Sequence, residues 1–329
     1  MNCTSLRKPV AVLVLLGGLL PFVRAQTQTP APAWPTKPVK IVVTFPPGGA
    51  PDTLARVLAD KWTQALGQTF TVDNKPGAGG NIGADFVAKS AGDGSTLLIA
   101  TVGTHAINPA LYSAMPYNHI KDFTPVSFLA STPNLLVVNN AVPAKNVKEL
   151  IALAGKTPLT FGSSGSGTSI HLSGELFNTL AGVKMQHIPY KGRAQAVPDL
   201  LGGRITMIFD NMPSALPLVK SGDVRAIAVT SAKRSAAAPD IPTLAESGLP
   251  GFEASSWFAL MAPAGLPKEV LARINAETAR VMSLPDVRDK LTQLGLDVAP
   301  GSSEALASHI QTETTKWAKV VKESGAKLD

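Results

Sequence analysis

Two patterns of hydrophobic and polar positions alternate along the chain. The apolar run from Ile41 to Phe45 is typical of a buried strand, and the stretch 53–66 after it has apolar residues at helical spacing. The same succession resumes after the break near Pro143, so the pattern runs twice. Short apolar strands that alternate with amphipathic helices predict an α/β fold, with mainly parallel sheets flanked by helices.

The elements can be placed along the whole chain. The predicted strands are 40–45, 69–74, 96–101, 135–140, 159–164, 185–190, 204–210, 225–231 and 255–263. The predicted helices are 53–66, 82–89, 147–154, 170–180, 194–201, 215–220, 269–282, 285–295 and 303–325. Between strands three and four we expect a looser segment with helical turns.

Two of these strands, 135–140 and 255–263, end one strand–helix series without starting the next. We interpret them as crossovers between two lobes, with lobe 1 at 38–135 plus 258–329 and lobe 2 at 136–257. The helical tail is expected to fold back on lobe 1. Two lobes joined in this way leave a cleft, which is the usual place for a small-molecule site.

The first 25 residues have the pattern of a signal peptide. Arg7 and Lys8 precede an apolar stretch that ends in Val23-Arg24-Ala25, with small residues at the exit. We therefore expect cleavage after Ala25 and export of the mature chain. Residues 26–37 are rich in Pro, Thr and Gln and are expected to be a disordered leader. No later segment supplies the ~20 uninterrupted apolar residues of a membrane span.

Cysteine content and charge exclude several functions. Cys3, the only cysteine, precedes the expected cleavage site, so the mature chain has no disulfide and no thiolate ligand. Removal of the signal peptide lowers the net charge from +7 to +4, with 27 basic and 23 acidic residues interspersed. Aromatic residues make up only 5% of the chain, and no basic cluster accompanies them, so no nucleic-acid partner is expected. The five histidines are scattered, so we expect no metal and no cofactor.

The loop Pro46-Pro47-Gly48-Gly49 links the first strand to the first helix. Glycines permit close approach to the backbone, prolines keep the loop rigid, and the helix behind it presents unpaired N–H groups to an anion. A tight turn without a ligand is the alternative interpretation. Asp52 in the first turn would repel a bound carboxylate, so we favour a role in capping the helix over contact with a solute ammonium.

Two further glycine-rich loops resemble nucleotide-binding motifs incompletely. The stretch 77–83 approaches G-x-G-x-x-G, but Ile82 stands at the last position, and we exclude a dinucleotide site. The stretch 162–169 fits a phosphate-binding P-loop except that Thr168 replaces the lysine. Nucleotide hydrolysis is therefore not expected, and the backbone N–H groups and hydroxyls of this loop suit a carboxylate instead.

Other polar residues follow strands at the edge where α/β sheets bind ligands. Asp210 could accept a hydrogen bond from the solute or cap the next helix, and Thr101 and Thr104 have the same ambiguity. The turn at 190–193 offers the hydroxyl and the flat ring of Tyr190 together with the positive charges of Lys191 and Arg193. For Arg193 we nevertheless favour a solvent-exposed position in the turn.

Catalytic interpretations are weaker than binding ones. Ser166 and His171 could suggest a nucleophile and its base, but the strand–helix elbow of serine hydrolases is missing. Asp52 and Asp210 could act as a carboxylate pair only if the fold brought them together. An exported hydrolase therefore stays an alternative to a binding protein.

Several blocks of the sequence resemble the Bug-type extracytoplasmic solute receptors of tripartite tricarboxylate transporters. They occur from Trp34 to the C-terminus, and the most specific are WPTKPVKIVVTFPPGGAPDTLAR, VDNKPGAGGNIGADFVAKSAGDGSTLL, TFGSSGSGTSIHLSGELF, HIPYKGRAQAVPDLLGGRI and IPTLAESGLPGFEASSWFALMAP. The resemblance implies a two-lobed fold like that of type II periplasmic binding proteins. It also implies a monomer that carries a small organic carboxylate to transporter subunits. A membrane sensor protein is the alternative partner.

Carried over to this sequence, the resemblance implies that both lobes hold the carboxylate, largely through backbone groups. The implied ligand-binding residues are Phe45, Pro46, Pro47, Gly48, Gly49, Ser164, Gly165, Ser166, Gly167, Thr168, Tyr190, Lys191, Gly192 and Asp210. The strand-end residues Thr101 and Thr104 complete the candidate site. The side chain of Ala50 can make no polar contact, which leaves the identity of the solute open.

Overall fold

The structure, a computed structural model, describes residues 34–326 together with residues 1, 2 and 4. The apolar stretch of the predicted signal peptide, its cleavage site after Ala25 and the leader as far as residue 33 lie outside the described residues. In the described part of the chain, no helix is both long and apolar enough to cross a membrane.

The elements follow each other much as the pattern predicts. The strands are β1 Val39–Val43, β2 Phe70–Asn74, β3 Thr96–Thr101, β4 Phe123–Asn139, β5 Thr160–Ser163, β6 Gln186–Pro189, β7 Met207–Asn211, β8 Val224–Val229, β9 Ser255–Pro263 and β10 Asp297–Val298. The helices are α1 Ala50–Leu66, α2 Asn81–Ala88, α3 Asn108–Leu111, α4 Val147–Ala154, α5 Ser169–Ala181, α6 Arg193–Leu201, α7 Met212–Lys220, α8 Lys268–Met282, α9 Pro285–Gln293 and α10 Ser303–Ser324. A 3₁₀ turn, Ala78–Gly80, precedes α2, and a π-helical turn, Gly103–Ile107, precedes α3.

Eight of these strands form one sheet in the order β2-β1-β3-β9-β4-β7-β5-β6, and β8 and β10 pair with β4 outside this path. It has two parallel parts, which we call the first section (β1, β2 and β3) and the second section (β5, β6 and β7). The strands β4 and β9 lie between them and pair antiparallel with each other and with their neighbours. The mainly parallel character of each section is thus confirmed. Strand β4 pairs on both sides, with β9 and with β7, whereas β9 pairs with β3 and with the early part of β4, and its crossover role stays a prediction. The lobe boundaries, 38–135 with 258–329 and 136–257, stay a prediction.

Strand β4 is much longer than predicted. The prediction 135–140 covers only its end, since β4 begins at Phe123 and runs for 17 residues. Pro125 and Pro133 within it resemble loop residues, because proline cannot donate to a sheet ladder. Register shifts at Pro125/Ser127 and at Phe128/Ala130 accommodate the irregularity. Its early part pairs with β9, and from Asn134 onward it pairs with β7 and β8, so one strand passes from one section to the other.

Both faces of the first section are covered, which explains its uninterrupted apolar strands. Ile41 and Val43 of β1 belong to one buried cluster, whereas Val42 between them belongs to another. Trp34 anchors the start of the continuous stretch 34–326. Its ring lies edge-on to the ring of Trp62, with 5.9 Å between the ring centroids, and its Nε1 donates to the Gly94 carbonyl.

The C-terminal helices return to the first section but also contact the second. Helix α8 lies against α1 and β4, whereas α10 lies against the π-helical turn, α3 and β4. Helix α10 additionally contacts α5, which follows a strand of the second section. The tail therefore connects the two sections as well as covering the first.

Candidate functional site

A cavity lies where the two sections of the sheet meet. Its walls come from the loops after β1 and β3, the β5–α5 loop, the first residues of α6 and α7, and strand β9. The lining residues are Phe45, Pro46, Pro47, Gly49, Pro51, Thr101, Val102, Gly103, Ser164, Thr168, Ser169, Ile170, Gly192, Arg193, Asp210, Asn211, Ser214, Ser256 and Phe258. Its empty space is about 630 Å³, part of it open to solvent.

Four helices begin at the cavity wall. The residues before the first turns of α1, α5, α6 and α7 are Gly49, Thr168, Gly192 and Asn211, and all four line the cavity. The first N–H groups of a helix have no partner inside the helix, and its dipole is positive at that end. The cavity therefore offers backbone donors and a favourable potential to an anion.

The structure gathers most of the predicted site residues but not all of them. Nine of the sixteen line the cavity: Phe45, Pro46, Pro47, Gly49, Thr101, Ser164, Thr168, Gly192 and Asp210. Another four, Gly165, Ser166, Tyr190 and Lys191, line an adjacent open cavity that shares Phe45 and Ser164 with the first. Three, Gly48, Thr104 and Gly167, line neither of these two cavities.

Asp52 supports the start of α1 and does not line the cavity. Its carboxylate accepts hydrogen bonds from the Gly48 N–H at 3.0 Å, from Arg56 Nε at 2.8 Å and from Asn74 Nδ2 at 3.0 Å. Burial alone would raise the pKa of Asp52, but these hydrogen bonds outweigh it and hold the pKa below its ordinary value. The capping interpretation agrees with this geometry, and the Gly48 N–H is already occupied.

Thr104 shapes the turn after β3 from a fully buried position. Its hydroxyl donates to the Thr101 carbonyl at 3.1 Å and accepts the Thr101 N–H at 3.0 Å. Thr101 alone of the two lines the cavity. These hydrogen bonds give Thr104 a local structural role, and its place among the ligand-binding residues stays a prediction.

Two histidines, the buried His171 and the half-buried His187, hold the β5–α5 loop. His171 Nδ1 accepts the Gly167 N–H at 3.3 Å, and its ring stacks on His187 at 4.0 Å between centroids. His187 Nε2 lies 2.7 Å from Ser163 Oγ, which accepts the Gly165 N–H. The other ring nitrogen of His171 lies 3.6 Å from a carboxylate oxygen of Glu175. Both nitrogens of His171 therefore face groups other than Ser166.

Loops that follow strands of the two sections approach each other closely near the cavity. A Cβ atom added to Gly79, in the first section, would lie 2.5 Å from the carbonyl oxygen of Ser166. One added to Gly167 would lie 2.2 Å from Asn108 Oδ1. Such contacts are possible only without side chains at these positions, so the glycines allow the loops of the two sections to meet.

Arg193 is not the solvent-exposed turn residue that we favoured from the sequence. Its Nε donates to Asp210 Oδ2 at 2.8 Å and its Nη2 to the Ser214 carbonyl at 2.7 Å, and its side chain is 29% exposed. Asp210 is buried and also accepts the N–H of Asn211 at 2.9 Å. Burial raises the pKa of Asp210, although the Arg193 guanidinium opposes the rise. The cavity wall thus contains a paired charge, and Asn211, not Asp210, precedes α7.

Sequence reasoning missed three polar lining residues, namely Asn211, Ser214 and Ser256. A faint signal existed for Ser256, a polar residue within the otherwise apolar crossover strand β9. Asn211 and Ser214 follow Asp210 at the strand edge, where a ligand site was expected.

Two parallel sheet sections that meet at a cavity and are joined by two antiparallel crossover strands define a class of protein, the periplasmic binding proteins. Residues 54–326 match the family described as the Tripartite tricarboxylate transporter family receptor, and the chain belongs to this family. Its members are periplasmic solute-binding receptors, which as a class bind without catalysis.

Individual relatives agree with the family and the fold. BugT of Bordetella pertussis is 37% identical over 331 residues, which cover 100% of both chains. The solved structure of Rpa4515 from R. palustris with adipate is 41% identical, with a TM-score of 0.87 over 90% of this chain and 100% of that one. MatC from Rhodopseudomonas palustris with bound malate is 35% identical, with a TM-score of 0.83 over 88% of this chain and 100% of that one. The family resemblance and the two-lobed fold that it implies are confirmed.

Proposed function

We propose that this protein binds a small organic carboxylate in the cavity and delivers it to a membrane transporter. One observation carries the proposal: helices α1 and α5, which follow strands of different sections, both begin at the wall of the same cavity. A carboxylate there would accept hydrogen bonds from both sections at once. Because these donors converge only when the sections are close, ligand binding favours the closed arrangement.

The proposed contacts divide by position. The lining residues Phe45, Pro46, Pro47, Gly49, Thr101, Ser164, Thr168, Gly192 and Asp210 contact the ligand directly. Gly165, Ser166, Tyr190 and Lys191 border the entrance through the adjacent cavity. Gly48, Thr104 and Gly167 act indirectly, by fixing the loops.

The cavity suits a ligand with an apolar part beside its carboxylate. Phe45, Pro46, Val102 and Phe258 give part of the wall an apolar surface. An aliphatic chain against this surface would add hydrophobic burial to the anion contacts. The relatives that were solved with adipate and with malate support an aliphatic dicarboxylate as the ligand class.

We further propose that the ligand is released unchanged. Both ring nitrogens of His171 face other groups, so Ser166 has no base there, and Asp52 does not line the cavity with Asp210. Expected features that complete the proposal are a signal peptide cleaved after Ala25, a monomer in the periplasm, and transporter subunits of the tripartite type as the partner. The sensor protein and the exported hydrolase have no observation in their favour.

A thermal-shift screen over small mono- and dicarboxylates tests the proposal. A ligand at 100 times its dissociation constant adds ~2.7 kcal/mol to the free energy of unfolding, which is readily detected. The matching uncharged diamides are the control, and they should give no shift. A panel in which no carboxylate raises the melting temperature, or in which the diamides raise it equally, would contradict the proposal.

A further inference from the structure

A buried network of polar side chains lies beneath the cavity and connects both crossover strands. Asn134 of β4 and Ser256 of β9 form its centre, joined by Ser169 and Ser173 of α5 and by Asn211 before α7. Asn134 and Ser173 are fully buried, while Ser169, Asn211 and Ser256 also line the cavity. The directions of the hydrogen bonds in this network determine which polar atoms face a ligand.

Both hydrogens of the Asn211 amide are used inside the network. Its Nδ2 donates to Asn134 Oδ1 at 2.6 Å and to Ser256 Oγ at 2.7 Å. In the same arrangement the Asn134 Nδ2 donates to Ser173 Oγ at 2.9 Å. Asn211 Oδ1 is the polar atom left for the cavity, and no group in the described part of the chain donates a hydrogen bond to it.

The Ser169 hydroxyl is oriented in the same way. Ser256 Oγ donates its single hydrogen to Asn134 Oδ1 at 3.2 Å. We assign Ser169 as the donor in its 2.5 Å contact with Ser256 Oγ, because Ser256 then keeps its single hydrogen for Asn134 Oδ1. Ser169 Oγ keeps only lone pairs for the cavity. The surface formed by Ser169 and Asn211, which we call the acceptor wall, thus accepts hydrogen bonds without donating any from its side chains.

We infer that the acceptor wall selects carboxylates that carry a hydrogen-bond donor, a hydroxyl or an amino group, in addition to their carboxylates. The inference rests on the proposed function and narrows its ligand class. A ligand without such a donor would remove water from Asn211 Oδ1 and Ser169 Oγ and leave both unpaired, which is costly in a buried site. Sites built to hydrogen-bond a ligand group reject analogues that lack it.

The neighbouring charges do not decide between a hydroxyl and an amino group. Both carboxylate oxygens of Asp210 already accept hydrogen bonds, from Arg193 and from the Asn211 N–H. The guanidinium of Arg193 offsets the charge of Asp210 at 2.8 Å. The ligand class is therefore defined by its hydrogen-bond donor, whether that donor is a neutral hydroxyl or a charged amino group.

Calorimetric titration of the full chain with matched series tests the inference. The series are succinate, malate and aspartate; glutarate, hydroxyglutarate and glutamate; and adipate, hydroxyadipate and aminoadipate. In each series that binds, we expect the hydroxy or the amino member to bind about tenfold or more tightly than the plain diacid. Plain diacids that bind as well as both substituted members would overturn the inference and leave the proposed function intact. Absence of binding in all three series would overturn both.

Variants of the acceptor wall provide a second test. Asn211→Ala and Ser169→Ala should each bring the affinity ratio between the substituted and the plain diacid towards one. Asn139→Ala is the matched control, since Asn139 Nδ2 also donates inside the protein, to the Leu200 carbonyl, but Asn139 does not line the cavity. The control should keep the ratio. A ratio that survives in both acceptor-wall variants, with folding verified by circular dichroism, would contradict the inference.

Discussion

Arg193 and Asp210 determine the charge balance of the cavity. Among the described residues that line it, they are the charged side chains, and they pair with each other. The attraction for an anion must therefore come mainly from the helix N-termini, not from an unpaired cation. The sequence prediction for Arg193 was wrong because its partner is 17 residues away. The two become neighbours only through the pairing of β6 and β7 with β5.

Replacement of Arg193 by methionine should destabilise the protein strongly. Asp210 would stay buried without its cation, and breaking a buried pair in this way costs about 3–5 kcal/mol. Urea unfolding of Arg193→Met, Asp210→Asn and the double variant measures the coupling. We expect the double variant to recover much of the loss. If Arg193→Met lost less than ~1 kcal/mol, a figure typical of exposed pairs, the buried pair would be refuted.

Two histidines, the buried His105 and the half-buried His187, should make stability depend on pH in a defined window. Burial, followed by the effect of His119, lowers the pKa of His105 to about 3, and burial, followed by the effect of His171, lowers the pKa of His187 to about 3. In the unfolded chain both titrate near ~6.5. The unfolded state thus binds more protons below that pH, and the free energy of unfolding should fall as the pH decreases from about 6.5 towards 3.

Urea unfolding at about pH 7.5 and about pH 5 measures this effect, in a range above the ordinary pKa values of exposed carboxylates. His187→Gln should reduce the difference between the two conditions. A protein equally stable at both values, or more stable at the lower one, would contradict the assignment of neutral histidines.

At the scale of elements, the β5–α5 loop and the β1–α1 loop differ in how closely they are packed. Sequence reasoning gave Gly48 and Gly167 the same role, but the structure separates them. Both have positive φ, +92° and +84°. A Cβ atom on Gly48 would meet nothing within 4 Å, whereas one on Gly167 would lie 2.2 Å from Asn108 Oδ1. The two glycines therefore form a matched pair that distinguishes backbone strain from contact between the sections.

Gly167→Ala should abolish the carboxylate-induced thermal shift, because the added methyl group pushes the loop away from Asn108. Gly48→Ala is the control and should keep most of the thermal shift. Alanine at either position carries a similar backbone strain, about 1 kcal/mol or more, because both glycines have positive φ. Differential scanning fluorimetry with and without the ligand compares them. Equal responses of the two variants would show that contact between the loops is not needed for binding.

The limits of sequence reasoning are clearest in the elements that cross between sections. The strands β1, β3 and β5 and the helices behind them could be predicted, since buried parallel strands are continuous apolar runs. Only the end of β4 was found, because two prolines and several Ser and Thr residues mask the pattern between Phe123 and Asn134. Likewise, the position of the Gly-rich loops was predictable, but the Asn134–Asn211–Ser256 network was not, since its members come from three distant elements.

At the scale of the whole molecule, the crossover strands carry the link between the sections. Strand β4 passes from one section to the other without interruption, and the polar network fastens it to β9 directly beneath the cavity. Ligand contacts with Ser169 and Asn211 therefore act on groups bonded to both crossovers. This arrangement places the ligand where it can bias the relative position of the sections, as a receptor that reports its loaded state requires.

Hydrogen–deuterium exchange, with and without the tightest-binding carboxylate from the screen, tests the central claim most directly. The claim is that one anion is held at the same time by the first turns of α1 and α5. We predict slower exchange in both 48–54 and 164–172, with α9 unchanged as an internal control. Protection of one of these loops alone, or of neither, would contradict the account.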